Sequence, residues 1–280
     1  MRFRPQEILR QRKVRHAMPM SNESFLRCSE SVSTLTRTNR SRRIAGLTLN
    51  VLLVVIGVFV AVSSATAQTD SRTEFWPAVR LNLDLHPRIG LQFYGERQNG
   101  EESDAAEKKA GVKISYRVKP LFKPLAGDID PENKYLATWA VGYEYIRKSK
   151  NGQPSNENRL ILEATPRYAP GAGFLFLNRN RMEFRWIDGS YNFRYRFKLT
   201  GQHAFKVDRF HFTPYGSGEL FWDRNHHSWN ENQYAVGVQF PFRRRFMLDT
   251  YVLHQNCTTC SQHSLNAFGV SANFYFKRGK

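Results

Sequence analysis

Long apolar runs are nearly absent from this sequence. Residues 44–62 form one such run, and from Phe75 onward no stretch is long enough for a second transmembrane helix. This excludes a helical membrane protein with several spans. Helical periodicity is also weak after Phe75, and the mean hydropathy of -0.55 is that of an ordinary soluble protein.

Cysteine is scarce as well, with 3 residues in 280. Cys28 lies near the N-terminus, while Cys257 and Cys260 form a C-x-x-C pair near the C-terminus. A thioredoxin-like redox role would require a βαβ context around that pair. The surrounding sequence has no such context.

The N-terminal region has the features of a secretory signal peptide. The apolar run follows a basic stretch and ends in small residues, with Ala65 and Ala67 at the positions of an A-x-A cleavage site before Gln68. We therefore expect a basic leader and signal peptide at 1–67 and a mature domain at 68–280. The apolar run is also long enough to span a bilayer, so an uncleaved inner-membrane anchor is the alternative.

Basic residues outnumber acidic ones. The chain carries 42 Lys and Arg against 24 Asp and Glu, a net charge of +18, and the part after the leader is still basic. A basic chain with interleaved aromatic residues can bind nucleic acid, but an exported protein is not expected to meet it. Lipopolysaccharide phosphates, small anionic solutes or a charged barrel interior are the expected counterparts.

Period-two alternation dominates the chain after Phe75. One face of each segment is apolar and aromatic, and the other is charged, polar or small, which predicts β-strands. Eleven such segments lie at 75–85, 89–94, 112–118, 139–145, 159–164, 174–186, 193–199, 210–222, 232–242, 245–256 and 265–276. Single-chain bacterial barrels normally have an even strand count, so we expect ten or twelve. Asn178 and Asn180 fall on the apolar face, which predicts a bulge there or a position near a membrane interface.

The length of the segments favours a membrane barrel over a soluble β-sandwich, which would also alternate. Many reach about ten residues, as a tilted strand crossing a bilayer requires, whereas strands in globular proteins are usually about five or six residues long. Aromatic residues crowd the segment ends, as in the interfacial girdles of barrels. They include Trp139, Tyr143, Tyr145, Trp186, Tyr191, Trp222, Phe240, Phe242, Phe274 and Phe276. The sequence therefore predicts an all-β, antiparallel transmembrane β-barrel of about 10–12 strands in the bacterial outer membrane, with a tethered periplasmic sandwich as the alternative.

Link lengths predict which side of the membrane each turn occupies. Short links, typical of the periplasmic side, lie at 86–88, 170–173, 206–209 and 243–244. Longer polar links lie at 98–108, 147–157, 223–231 and 256–264. The link at 120–133 breaks this alternation, because it is long where a short turn is expected.

Six stretches carry a family resemblance through their order and spacing. They are NENR at 156–159, NRNRMEFR at 178–185, YNFRYRFKLT at 191–200, PYGSGELFWD at 214–223, LDTYVLHQ at 248–255 and FGVSANFYF at 268–276. Through them the chain resembles an uncharacterised family of Gram-negative outer-membrane β-barrels, the domain of unknown function DUF2490. The resemblance implies the fold, the location and delivery by the barrel assembly machinery, and it supplies no activity. Such barrels usually end on an aromatic residue, whereas Phe276 is followed here by KRGK.

The face opposite the apolar one is rich in charge. If the apolar face meets lipid, twelve basic and seven acidic side chains point inward, which predicts a basic lumen. The densest cluster is Arg159, Glu163, Arg179, Arg181, Glu183, Arg185, Arg194, Arg196, Lys198, Glu219 and Asp249. The other inward residues are Arg80, Lys113, Arg117, Lys119 and Arg167, with Asp84, Glu96 and Glu144. Ion pairs could fill a narrow barrel, or the basic residues could line a pore that favours anions.

The C-x-x-C pair is flanked at equal spacing by two histidines, His254 and His263. In an exported loop, a disulfide between Cys257 and Cys260 is the expected state. Zinc binding by the four residues and free thiols are the alternatives.

Catalytic residues are not apparent. His211, Ser217 and Glu219 share one face of one segment, but His211 and Ser217 would lie roughly 20 Å apart along a strand. No catalytic residue, metal or cofactor is therefore expected. The predicted function is an outer-membrane barrel that acts as a narrow channel for small anionic solutes or as a structural or surface protein. A membrane-embedded hydrolase of lipid or lipopolysaccharide is the alternative.

Overall fold

The described part of the chain is built from β-strands. A computed structural model describes residues 72–100, 106–123, 127–150, 153–208, 210–242, 245–260 and 263–277. The predicted leader, its cleavage site and Cys28 lie outside these residues. The same part of the chain contains no helix that is long and apolar enough to cross a membrane.

Twelve strands follow one another along these residues. They are β1 Arg72–His86, β2 Ile89–Gly100, β3 Ala106–Arg117, β4 Ala137–Lys150, β5 Gln153–Gly171, β6 Phe174–Ile187, β7 Ser190–His203, β8 Phe205–Val207, β9 Phe210–Asp223, β10 Ser228–Phe242, β11 Phe246–Cys257 and β12 Ser264–Lys277. The eleven long strands correspond one for one to the eleven alternating segments of the sequence. The prediction of an all-β barrel is therefore confirmed.

Within the described residues, eleven strands close the barrel. Neighbouring strands pair antiparallel, β7 pairs with β9, and β1 pairs with β12 in parallel, from Arg72 opposite Leu265 to Asp84 opposite Lys277. The short β8 pairs with β9 beside the barrel wall. The barrel is thus mixed and has an odd strand count. The expectations of an even count and of a wholly antiparallel sheet are wrong, because alternation identifies strands but not the direction in which the first meets the last.

The parallel seam gives the barrel two different rims. The N-terminal rim, where β1 begins, carries the links 101–105, 151–152, 188–189, 224–227 and 258–263. The C-terminal rim, where β12 ends, carries the links 87–88, 118–136, 172–173, 204–209 and 243–245.

The predicted alternation of short and long links is wrong. Strands β4 and β5 pair as far as Lys150 opposite Gln153, where a long link is expected from the sequence. The longest link, 118–136, joins β3 to β4 at the C-terminal rim. This β3–β4 link lies on the side for which short turns are predicted.

The wall of the barrel has an apolar outer face and a polar inner face. On β4, Trp139 and Val141 are exposed while Ala140 and Glu144 between and beyond them are buried. The alternation continues along each long strand, because successive side chains of a strand point to opposite faces. Within the strands, the predicted inward and outward faces therefore agree with the structure, whatever surrounds the barrel.

Asn178 and Asn180 do lie on the outer face. The β6–β7 ladder is continuous through both residues, so a bulge at these positions is wrong. The hydroxyl of Tyr195 donates to Asn180 Oδ1 at 2.6 Å, and Asn180 Nδ2 donates to Asn178 Oδ1 at 3.2 Å. The side-chain oxygen of each asparagine therefore accepts a hydrogen bond on this face.

The number of strands and the register of their pairing determine the width of the barrel. Followed once around the eleven strands, the register advances by roughly 14 residues, which corresponds to a strand tilt of about 44° and a backbone diameter of about 21 Å. An interior of this width is filled only by long side chains.

Candidate functional site

Glu183 lies at the centre of the charged interior. It points inward from β6 and is fully buried. Its carboxylate accepts hydrogen bonds from Arg194 Nε at 2.9 Å and from Arg196 Nη1 at 3.1 Å. The guanidinium groups of Arg159 and Arg181 lie 3.8 Å away. One buried carboxylate thus meets four arginines from three neighbouring strands.

Glu219 on β9 forms a second centre. Its carboxylate accepts hydrogen bonds from Arg179 at 2.7 Å and from Arg196 at 2.8 Å, and Lys198 Nζ lies 3.8 Å away. The guanidinium of Arg196 also stacks over the buried ring of Phe221, 4.5 Å from its centroid. Arg196 therefore links the two carboxylates and an aromatic face.

Glu163 on β5 carries the ion pairs toward β3. It accepts hydrogen bonds from Arg181 at 2.7 Å and from Lys113 Nζ at 3.3 Å. Because Arg181 also faces Glu183, the three carboxylate centres form one network.

Toward the N-terminal rim, the network includes acids that the sequence analysis missed. Glu157 is 1% exposed and pairs with Arg159 and Arg185, and Arg185 also meets Asp223 at 3.4 Å. From the sequence, both acids fall in links. They nevertheless share the odd-numbered parity of inward residues such as Glu219, so extending the alternation to the strand ends would have found them.

Six of the predicted inward residues stand apart from this network within the described part of the chain. They are Asp249, Lys119, Arg80, and the three residues Arg117, Asp84 and Arg167, of which Arg117 pairs with Asp84 and both arginines meet Glu132. Asp249 accepts a hydrogen bond from the Tyr215 hydroxyl at 3.0 Å, and within the described residues it has no ion pair. Lys119 lies beyond the end of β3 and is exposed, so its predicted inward position is wrong. Every other residue of the predicted dense cluster belongs to the connected network.

The interior is close to electrically balanced. The acids that the structure adds to the ion-paired set are Glu107, Glu132, Glu157, Asp223 and Glu231, and the added bases are Lys109 and Lys148. Together with the loss of Lys119, these acids offset most of the basic excess inferred from the sequence. A strongly basic lumen is therefore not what the structure contains.

The chemistry of this network is that of mutual neutralisation. A buried charge is tolerated when it is paired and hydrogen-bonded, and each central carboxylate meets at least two cations.

Glu219 forms ion pairs with Arg179 and Arg196, and His211 and Ser217 lie on the same strand as Glu219. The structure does not bring these three residues together as a catalytic group.

Three inward tyrosines fill space beside the network. Each ring lies across a glycine of the next strand, where a Cβ would collide with it. The pairs are Tyr94 on Gly111, Tyr215 on Gly237 and Tyr251 on Gly269. Together with the ion pairs, these rings occupy much of the lumen.

The described part of the β3–β4 link, residues 118–123 and 127–136, contacts the C-terminal rim. Glu132 in this link accepts hydrogen bonds from Ser115 Oγ at 2.7 Å and from Arg167 Nη2 at 3.3 Å. Tyr135 is buried, and its hydroxyl donates to the carbonyl oxygen of Pro87 at 2.6 Å. The link is therefore fastened to the barrel wall on both sides.

Acidic residues cluster within the β3–β4 link. Burial and the neighbouring carboxylates of Glu132 and Asp128 raise the pKa of Asp130 to about 7. Burial also raises the pKa of Asp128, whose carboxylate accepts a hydrogen bond from Asn133 at 2.9 Å. The Asp130 carboxyl group therefore keeps its proton to a higher pH than an ordinary aspartate does.

Cys257 and Cys260 are joined by a disulfide, with their Cα atoms 5.4 Å apart. Cys257 points inward at the end of β11, whereas His254 points outward and bonds to Asn266 and Asn256. The two histidines and two cysteines do not converge. Among the described residues, no group of three His, Cys, Asp or Glu side chains is placed to hold a metal ion.

This barrel matches a family of proteins of unknown function. A comparison with curated proteins finds none that matches. The family described as "Protein of unknown function (DUF2490)" matches residues 73–265, from the start of β1 into β12. This range contains more than half of the chain, and the resemblance inferred from the sequence is confirmed. The chain belongs to the DUF2490 family.

Proposed function

We propose that this protein is an outer-membrane β-barrel with a closed interior and a structural or surface-interaction role. The observation that carries the proposal is the inverted polarity of the barrel. Charged side chains are buried inside it as ion pairs, while large apolar side chains cover its outside.

The exposed apolar side chains of the outer face support the proposal that a lipid bilayer surrounds the barrel. Phe210, Tyr168 and Trp139 are 77%, 65% and 59% exposed, and soluble monomers rarely expose apolar patches beyond a few hundred Å². Along β1, outward side chains run from Phe75 to Leu85, roughly 24 Å in height at a tilt of about 44°. Membrane barrels have an apolar band of about 25 Å.

The C-terminal rim supports contact with anionic headgroups. Its exposed basic residues are Arg88, Lys119, Lys123, Lys206, Arg245 and Lys277. Phosphate groups of lipid or lipopolysaccharide complement such a ring of cations. The signal peptide inferred at 1–67 and the barrel assembly machinery would bring the chain to that membrane.

The filled lumen favours a structural barrel over an anion channel. Conduction requires a continuous water-filled path, and the ion pairs around Glu183 and Glu219 occupy the region between β3 and β9. The β3–β4 link adds a cover at one rim. An open channel would require these contacts to separate.

The location is tested on the native protein. We expect the mature chain to begin near Gln68 and to fractionate with the outer membrane, which mass spectrometry of the purified protein would establish. Retention of residues 44–62 in an inner-membrane fraction would contradict the proposal.

The closed interior is tested by conductance. The refolded protein in planar bilayers under a potassium chloride gradient should carry negligible current. The double variant Arg181→Glu and Arg194→Glu should lose stability, because it places like charges against Glu163 and Glu183. A matched pair at the exposed rim, Lys206→Glu and Arg245→Glu, should fold normally.

A stable chloride-selective current from the natural protein would favour the anion channel instead. In that case the double variant in the lumen should reverse the ion selectivity.

A further inference from the structure

A polar cavity of about 210 Å³ lies inside the barrel beneath the β3–β4 link. It is lined by inward residues of β1, β2, β3, β10, β11 and β12, and by Asp130 and Glu132 of the link. At about 30 Å³ for each water molecule, it has room for roughly seven waters or for one solute of amino-acid size.

Tyr275 lines this cavity. Its side chain is 6% exposed, and its hydroxyl is not one of the buried polar atoms that lack a partner. A tyrosine hydroxyl can both donate and accept a hydrogen bond. It could therefore bond to a solute in the cavity.

Two opposite charges with spare bonding capacity line the same cavity. Arg80 Nη1 donates to Ser271 Oγ, and Asp249 accepts from Tyr215 at 3.0 Å. Within the described residues, neither Arg80 nor Asp249 forms an ion pair. Ser271 stands directly opposite Asp249 in the β11–β12 ladder, so the guanidinium of Arg80 lies near this carboxylate without meeting it.

The remaining cations of the cavity are already neutralised. Lys113 pairs with Glu163 at 3.3 Å, and Arg117 pairs with Asp84 at 2.6 Å. An anionic solute would therefore leave Asp249 without a counter-charge. A solute with one charge of each sign would neutralise both free groups.

We propose that this cavity binds a small zwitterion of amino-acid size. Its carboxylate pairs with Arg80, its ammonium group pairs with Asp249, and the Tyr275 hydroxyl supplies a further hydrogen bond. Asp130 and Glu132 of the β3–β4 link line the cavity on one side of the solute. The site lies within the folded barrel and does not depend on whether the barrel conducts ions.

Calorimetric titration of the refolded barrel in detergent tests the site. L-Glutamine is the zwitterionic probe, D-glucose the neutral probe and acetate the anionic probe. We expect saturable binding of one glutamine, and at least about tenfold weaker binding of glucose and acetate, because charge-assisted hydrogen bonds are the strong ones.

Two tyrosine variants separate binding from stability. Tyr275→Phe should weaken glutamine binding by roughly 2- to 10-fold and leave the unfolding midpoint nearly unchanged, since no hydrogen bond joins its hydroxyl to another described residue. The matched control is Tyr94→Phe, because the Tyr94 hydroxyl donates to Glu144 at 3.1 Å. It should lower the unfolding midpoint and leave the affinity unchanged.

Asp249→Asn should weaken glutamine binding by about tenfold or more, because it removes the counter-charge of the ammonium group. The absence of saturable glutamine binding would show a cavity filled with water only and would overturn the proposal. An unchanged affinity of Tyr275→Phe or Asp249→Asn would place the bound glutamine elsewhere and would overturn it as well. Tighter binding of glucose than of glutamine would overturn the assignment of charges.

Discussion

The ring of Tyr215 on β9 lies across Gly237 on β10. A Cβ at residue 237 would stand 2.6 Å from the ring Cζ and 2.7 Å from the carbonyl oxygen of Thr250. The second of these neighbours is backbone and cannot move aside as a side chain can. Glycine is therefore required at residue 237 by space and not by backbone conformation.

Gly237→Ala should lower the free energy of unfolding by about 1–3 kcal/mol, as overpacking of a filled interior does. The measurement is urea unfolding of the refolded barrel followed by tryptophan fluorescence. Gly216→Ala is the matched control, because a Cβ there meets nothing within 4 Å. Equal stabilities of the two variants would show that the ring does not need this space.

Glu183→Gln should destabilise the barrel strongly. The amide removes the charge that Arg159, Arg181, Arg194 and Arg196 share, and breaking a buried ion pair costs about 3–5 kcal/mol. Unfolding by urea measures the loss. Asp208→Asn, at an exposed acid of the C-terminal rim, should change stability by less than about 0.5 kcal/mol. If both variants unfold alike, the network does not hold the barrel together.

The cysteines should be oxidised to each other in the native protein. Alkylation without a reductant is expected to label neither Cys257 nor Cys260, and alkylation after reduction should label both. Replacing both by serine should cost about 2 kcal/mol, because the disulfide closes a very short loop. Quantitative labelling without reductant, or stoichiometric zinc in the purified protein, would show that this pairing is wrong.

The β3–β4 link should open more readily as pH rises from about 4 to about 7. Its Asp130 keeps a proton up to a pKa of about 7 in the closed link, against the ordinary value of 3.8 when the link opens. The closed link is thus most favoured at the acid end of this window, and its advantage is lost as pH rises through the folded pKa.

Proteolysis of residues 127–136 across this pH range would measure the opening. Asp130→Asn should reduce the pH dependence within the window to the part that comes from Asp128, whose pKa burial also raises. Asp188→Asn is the control, because Asp188 sits in a distant exposed turn where hydrogen bonds from Asn156 and Ser155 lower its pKa. A pH dependence that is unchanged in Asp130→Asn would assign it to another group.

The sequence predicts which charged residues of a strand point into the barrel, because successive side chains of a strand point to opposite faces. Arg179, Arg181 and Glu183 lie inside the barrel as their spacing predicts. Glu157 and Asp223 were missed because polar residues near a strand end look like a link. Arg185 on β6 pairs with both acids, and this contact between strands cannot be read from either segment alone.

Other features depend on contacts between distant parts of the chain. The closure of β1 against β12 leaves no mark in local alternation, since either direction of pairing satisfies it. The inward fold of the β3–β4 link likewise depends on Ser115 and Arg167, which lie on other strands. The separation of Asp249 from the network reflects a tyrosine, Tyr215, that takes the place of a cation.

The parallel seam determines the order in which the barrel can be completed. Every other pair of neighbouring barrel strands is close in sequence, so each hairpin closes a small loop at little entropic cost. The seam joins β1 to β12, the first and last strands of the described chain, and it uses the slightly weaker parallel pattern of hydrogen bonds. Folding should therefore proceed by hairpins and end at this seam, and the same seam should be the first place where a stressed barrel comes apart.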